Sequence, residues 1–66
     1  MIDSELLKEK IKDSGYRFSW LAKQLNLSPF GMRKKVNGDT EFKVSEVKNL
    51  AKLLKLNEKE REKIFF

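Results

Sequence analysis

The 66-residue chain contains neither cysteine nor histidine. Without cysteine it can form no disulfide, no thiolate zinc site and no thiol nucleophile. Without histidine it has no imidazole base, no histidine metal ligand and no Ser-His or Cys-His pair for nucleophilic catalysis. We therefore expect a protein that is not an enzyme and that uses no cofactor, no metal and no small-molecule substrate.

Long apolar segments are also missing. No apolar run exceeds three residues, as in Ile64-Phe65-Phe66, whereas a membrane-spanning helix needs about 20. The first residues lack the basic region and the apolar stretch of a signal peptide. These features predict a cytoplasmic protein with no membrane partner.

Charge is plentiful and unevenly placed. Charged residues make up 38% of the chain, and the net charge is +5. The middle segment, residues 15–44, carries six basic residues against two acidic ones, and Arg33-Lys34-Lys35 is its densest run. Such a run indicates either a phosphate-binding surface or a solvated helix face on a lysine-rich protein.

Apolar residues recur at helical spacing along nearly the whole chain. The pattern predicts five short helices, at about 4–13, 18–25, 29–36, 43–54 and 58–65. No segment alternates with period two for long enough to predict a strand. We expect one all-α domain over residues 1–66, with its five helices in an orthogonal bundle.

The third helix has the clearest ends. Ser28 can cap its start, and Pro29 suits the first helical position because the N–H that proline lacks would have no partner there. Asn37-Gly38 would end the helix, since both residue types tolerate left-handed geometry. Met32 and Val36 are expected to face inward.

The sequence also suggests where several aromatic and apolar side chains pack. We expect Trp20 to pack on the core or beside it, Phe42 to plug the core before the fourth helix, and Tyr16 to pack at the end of the first helix. The segment Ile64–Phe66 either seals the core or forms a dimer contact. In the fourth helix, one inward stripe is expected from five residues: Val44, Val47, Leu50, Ala51 and Leu54.

The second and third helices are joined by the short turn Asn26-Leu27-Ser28. Two short helices with such a turn form a helix-turn-helix arrangement. This arrangement presents the start of its second helix to the major groove of DNA.

The stretch from Gly15 to Gly38 resembles the lambda-repressor-like (xenobiotic-response-element type) helix-turn-helix family. The resemblance extends over about residues 4–56, and the chain is most similar to small phage Cro-type or phage-repressor proteins. The residues that carry it are Leu21-Ala22, Leu25, Leu27-Ser28, Met32, Asn37-Gly38, Val47, Leu50-Ala51 and Leu54.

This resemblance implies a sequence-specific transcriptional regulator of a bacterial cell or phage-infected host. Its partner would be a double-stranded DNA operator, bound by a homodimer that forms at least on DNA. Residues expected to contact base edges are Pro29, Phe30, Arg33 and Lys34. Residues expected to contact phosphates are Arg17, Phe18, Ser19, Lys35, Asn37, Thr40 and Lys43.

The chain departs from the family pattern at three positions. Phe18 replaces a frequent Gln, Phe30 replaces a polar residue, and Arg17 replaces the usual capping Thr or Ser. Exposed aromatics also support an alternative function, a helical protein-interaction module of antitoxin or antirepressor type. In that alternative, Phe30, Trp20 and the Phe65-Phe66 end would bind a protein.

Overall fold

The computed structural model describes residues 2–66, and within that range it contains five α-helices and no strand. The all-helical prediction is confirmed, and each helix begins and ends within one residue of its predicted bounds. The helices are α1 (Ser4–Ser14), α2 (Phe18–Gln24), α3 (Pro29–Val36), α4 (Val44–Leu53) and α5 (Glu58–Phe65).

Local hydrogen bonds explain where most helices start. The Ser28 hydroxyl accepts a hydrogen bond of 3.0 Å from the Gly31 N–H, as the sequence predicts, and Pro29 occupies the first position of α3. Asn57 and Glu60 exchange side-chain to backbone hydrogen bonds at the start of α5. Because these caps satisfy N–H groups that have no partner inside a helix, they fix the helix ends.

One predicted helix ending differs in detail. Asn37 keeps a right-handed helical conformation with φ −76°, and only Gly38, with φ +86°, turns left-handed. A side chain at Gly38 would also be crowded, because a Cβ there would lie 3.2 Å from Ile2 Cγ2. The glycine, rather than the asparagine, therefore makes the turn after α3.

All five helices contribute to one core. The buried apolar residues are Leu7, Ile11, Leu21, Ala22, Leu25, Met32, Val36, Leu50, Ala51 and Ile64. Burying each large aliphatic side chain contributes about 1.5–3 kcal/mol, and this burial holds α2 and α3 in place. Phe42 and Phe65 pack on this core edge to face, with ring centroids 5.7 Å apart.

Five large apolar side chains are exposed: Tyr16, Trp20, Phe30, Val44 and Phe66. Val44 is 74% exposed because it sits in the first turn of α4, at the edge of the face centred on buried Leu50, so its predicted inward position is wrong. Trp20 is also exposed and contacts Tyr16, contrary to the expected packing on the core. At the end of the chain, Ile64 is buried, whereas Phe66 is 82% exposed.

No helix in the described part of the chain combines the length and the apolar composition that crossing a bilayer requires.

Candidate nucleic-acid interface

The connection between α2 and α3 is short and is held by hydrogen bonds and by packing against the core. Asn26 adopts a left-handed conformation with φ +58°, which reverses the chain directly after α2. The Leu27 N–H then donates a 2.9 Å hydrogen bond back to the Ala22 carbonyl. The Leu27 side chain packs against the core. Together with the Ser28 cap, these contacts fix the direction in which α3 leaves the turn.

The inner side of α3 is fully engaged, and its outer side is free. Met32 and Val36 are buried, which confirms the predicted orientation of the helix. The outer flank of α3 is formed by the four exposed residues predicted to contact bases, Pro29, Phe30, Arg33 and Lys34. This flank therefore combines a proline, an aromatic ring and two cations at the surface.

Phe30 stands out on this flank because 68% of the residue is exposed. The ring does not fold back onto α2. The Lys34 ammonium lies 5.6 Å from its centroid, within the range of a cation–π contact. Phe30 and Lys34 thus form an adjoining apolar and cationic pair one turn apart on α3.

A second cation–π contact joins α3 to α2. The Arg33 guanidinium carbon lies 5.7 Å from the ring centroid of Phe18. Phe18 is partly buried and packs against the core. Its side chain is therefore committed to packing, and only its backbone N–H at the start of α2 is left for an anion.

The other predicted phosphate contacts fall into three places. Arg17 and Ser19 are exposed at the start of α2, where Arg17 gives no side-chain cap. Asn37 and Thr40 are exposed in the loop after α3. This loop is held against the end of α3 by hydrogen bonds that its backbone N–H groups donate to the Lys34 carbonyl. Lys43 is exposed directly before α4.

Lys35 has a different environment from its neighbours. Its ammonium lies 2.5 Å from Oε1 of Glu46, and both side chains are mostly buried. The same oxygen accepts a 2.8 Å hydrogen bond from the Lys43 N–H at the start of α4. This ion pair occupies the Lys35 charge and joins α3 to α4. We therefore remove Lys35 from the set expected to contact phosphate.

The ion pair also changes the acidity of Glu46. Burial by itself raises the pKa of this carboxyl, but hydrogen bonds from Lys35 and the Lys43 N–H, together with the charges of both lysines, outweigh it. The net result is a pKa below the ordinary glutamate value. Glu46 is therefore ionised at neutral pH and acts as the counterion of Lys35.

The segment 14–38 contains five basic residues and no Asp or Glu, while all ten acidic residues lie elsewhere. The acid-free segment is narrower than the middle segment 15–44, which also contains Asp39 and Glu41. Among residues 2–66, only Lys35 of its five cations has a carboxylate partner. The other four, Arg17, Lys23, Arg33 and Lys34, are exposed.

A groove of about 700 Å³ lies between the loop after α3, α4 and α5. Phe42, Val47 and Phe65 form apolar parts of its wall, and Val44 and Phe66 also line it. Glu41, Lys48 and Arg61 add charges of both signs. Residues 2–66 contain no group of three or more acidic side chains arranged to hold a metal ion.

Comparison with known proteins gives no match to this chain among family models, curated proteins or solved structures. The case for a function therefore depends on the residues and their geometry.

Proposed function

We propose that this protein is a sequence-specific DNA-binding transcriptional regulator that places α3 in the major groove. In this proposal, α2 and α3 form a helix-turn-helix within an orthogonal five-helix bundle of the lambda-repressor-like type. The protein would act in the manner of the small phage repressors that it resembles.

The observation that carries the proposal is the exposed, cationic outer flank of α3 within the acid-free segment. Leaving like charges without carboxylate partners costs folding free energy through repulsion. An anionic polymer such as duplex DNA removes that repulsion when it binds, and the release of its counterions favours the complex. Three of the four exposed cations of the segment, Arg17, Arg33 and Lys34, are among the residues expected to contact DNA.

The size of α3 suits the proposed target. An α-helix with its side chains is about 10–12 Å in diameter, and the major groove is about 12 Å wide. Burial of Met32 and Val36 holds the helix from behind, so its outer flank can enter the groove without exposing the core. A helix whose outer flank was covered by neighbouring helices could not enter the groove.

The exposed side chains suit different features of a duplex. Arg33 and Lys34 can donate to the O6 and N7 acceptors of guanine, and Phe30 can contact thymine methyl groups. Pro29 would approach the base edges at the helix start. The surrounding phosphates would be contacted by Arg17, Ser19, Asn37, Thr40, Lys43 and the backbone N–H of Phe18.

A dimer would extend recognition to two half-sites. Such half-sites lie about 34 Å apart, one helical turn of DNA. The groove that contains Val44 and Phe66 is the candidate contact between two copies. A two-fold interface must be complementary to itself, and Glu41 can face Lys48 or Arg61 of a second copy.

The test begins with selection of duplexes from a random-sequence library by the wild-type protein. We expect a defined sequence to be enriched and to bind more tightly than a scrambled duplex at both about 50 and 200 mM salt. Substitution K34A should cost about 1–3 kcal/mol if Lys34 contacts a base. K63A removes the same charge from an exposed position in α5 and should have little effect.

The two kinds of contact have different signatures. If Lys34 contacts a phosphate, K34A should reduce the slope of log affinity against log salt by about one and leave sequence preference unchanged. Equal affinity for the selected and the scrambled duplex would refute the proposed function.

The exposed Phe30 also supports the second candidate, a helical protein-interaction module. That function predicts a protein partner whose binding depends on Phe30 and survives the double substitution R33A/K34A. DNA recognition predicts the reverse, since the two cations would carry most of the affinity for a duplex.

A further inference from the structure

Two aromatic residues outside the proposed DNA-contact set form an exposed pair. The ring centroids of Tyr16 and Trp20 lie 4.7 Å apart, and the rings are inclined by 31°. Tyr16 is 41% exposed and Trp20 is 40% exposed. Trp20 is the only tryptophan of the chain. A tryptophan is costly to leave in water because burying an aromatic of this size contributes much of the energy of a core or an interface.

The pair lies on the outer side of α2. Leu21 and Ala22 are buried on the opposite side of this helix, and at 100° per residue Trp20 projects away from them. Lys23 is exposed three positions after Trp20, which places both side chains on one face. The proposed base contacts all belong to α3, and neither Tyr16, Trp20 nor Lys23 is among the proposed phosphate contacts.

The chemistry of this surface favours a protein partner. Trp, Tyr and Arg are the residue types that most often dominate the binding energy of protein interfaces. Tyr16 and Trp20 stand here beside exposed Arg17. The two rings contact each other, whereas platforms for single-stranded nucleic acid place separate rings so that successive bases can stack on them.

The charge of the surface limits which protein segments fit. No carboxylate occurs in residues 14–38, so the cations beside the aromatic pair, Arg17 and Lys23, have no acidic neighbour within their own segment. An acidic segment would complement them, and a basic one would be repelled. Apolar side chains of the same segment would cover the exposed rings.

We propose that Tyr16, Trp20 and Lys23 form a docking surface for an acidic segment of another protein that also carries apolar side chains. The aromatic pair contacts the apolar side chains, and Lys23 pairs with a carboxylate. None of these three residues belongs to the proposed base or phosphate contacts, although Arg17 and Ser19 of the phosphate set lie next to them in the sequence.

The experiment selects peptides from a displayed random-sequence library on the full protein. The enriched peptides should be net acidic and contain apolar residues. Binding of a fluorescein-labelled selected peptide, measured by anisotropy, should weaken about tenfold or more in W20A. Y16A and the charge reversal K23E should weaken it too. F66A removes an aromatic that is even more exposed, in another part of the surface, and should leave the affinity unchanged.

Circular dichroism of each variant separates lost binding from lost folding, and K23E supplies a test that removes no aromatic packing. Enriched peptides without acidic character, or equal affinity of W20A and wild type, would overturn the proposal.

Nucleic acids are tested on the same variants. Tryptophan fluorescence should not respond to single-stranded oligothymidylate, and the duplex selected by the wild type should bind W20A with unchanged affinity. A response to the single strand would assign the surface to nucleic acid, and a loss of duplex affinity in W20A would make it part of the DNA interface. Either result would overturn the proposal of a protein docking surface and would leave the proposed DNA-binding function intact.

Discussion

The acid-free segment, residues 14–38, and the rest of the chain differ in the distribution of their charges. Outside the segment, acidic and basic residues are interspersed, and Lys10 of α1 forms an ion pair with Glu60 of α5. Within the segment, four exposed cations have no carboxylate partner in the described structure. One part of the molecule places charges of both signs close together along the chain, while the other carries positive charge alone.

The two parts meet at one ion pair. Glu46 of α4 supplies the counterion for Lys35, the only cation of the acid-free segment that is mostly buried. A buried ammonium without a counterion is strongly unfavourable, whereas an exposed one is solvated by water. A carboxylate is thus present where burial requires it, whereas the exposed cations of the segment are solvated by water.

Breaking this link should have the largest effect on stability. Glu46→Gln keeps an oxygen that can accept the Lys43 N–H but leaves the Lys35 ammonium without its counterion. We expect the free energy of unfolding, measured by urea denaturation, to fall by about 3 kcal/mol. Glu62→Gln, at an exposed position of α5, should change it by less than about 0.5 kcal/mol. Equal stability of the two variants would show that the link contributes little.

The same carboxylate should give stability a pH dependence. Because the folded pKa of Glu46 is lowered, its contribution is full above the unfolded pKa and is lost as the pH falls through the folded value. The free energy of unfolding should therefore decrease below about pH 5. The decrease should be shallower in Glu46→Gln, and since both proteins contain Glu60, the difference isolates Glu46. Parallel pH profiles would contradict this assignment.

Within the acid-free segment, the cap of α3 is the next contribution to remove. Ser28→Ala deletes the acceptor of the Gly31 N–H and should lower the free energy of unfolding by about 1 kcal/mol. Ser45→Ala is a suitable control because Ser45 is exposed near the start of α4. Thermal or urea unfolding measures the stability of both variants. Equal free energies of unfolding would show that the cap does not stabilise the protein.

The smallest effect is expected for the ion pair outside the segment. The hydrogen bond that Lys10 donates to Glu60 raises the pKa of Lys10. Both side chains remain in contact with water, however, which weakens their attraction. Lys10→Met should therefore destabilise the protein less than Ser28→Ala, and added salt should reduce the difference from wild type. A loss as large as that of Glu46→Gln would contradict the distinction between the two pairs.

Local signals made the bounds of α3 predictable. Ser28-Pro29 starts the helix and Gly38 turns the chain after it, and both effects depend only on neighbouring residues. The spacing of Met32 and Val36 then gives the inward face, so the exposed position of Arg33 and Lys34 follows from the sequence.

Features that depend on packing between helices were not predictable in the same way. Lys35 and Glu46 are 11 residues apart and lie on different helices, so no local pattern indicates their ion pair. The exposure of Trp20 has a local origin, because the periodicity of α2 places it away from buried Leu21 and Ala22, although its apolar character predicts burial.

The central claim is that the exposed flank of α3 enters a DNA duplex. Nuclear magnetic resonance of nitrogen-15-labelled protein, titrated with the selected duplex, tests it residue by residue. We predict that the largest amide shift changes fall in residues 28–38 and at the start of α2, with little change in residues 59–63 of α5. Changes centred on α4 and α5, or no change with any duplex, would contradict the account.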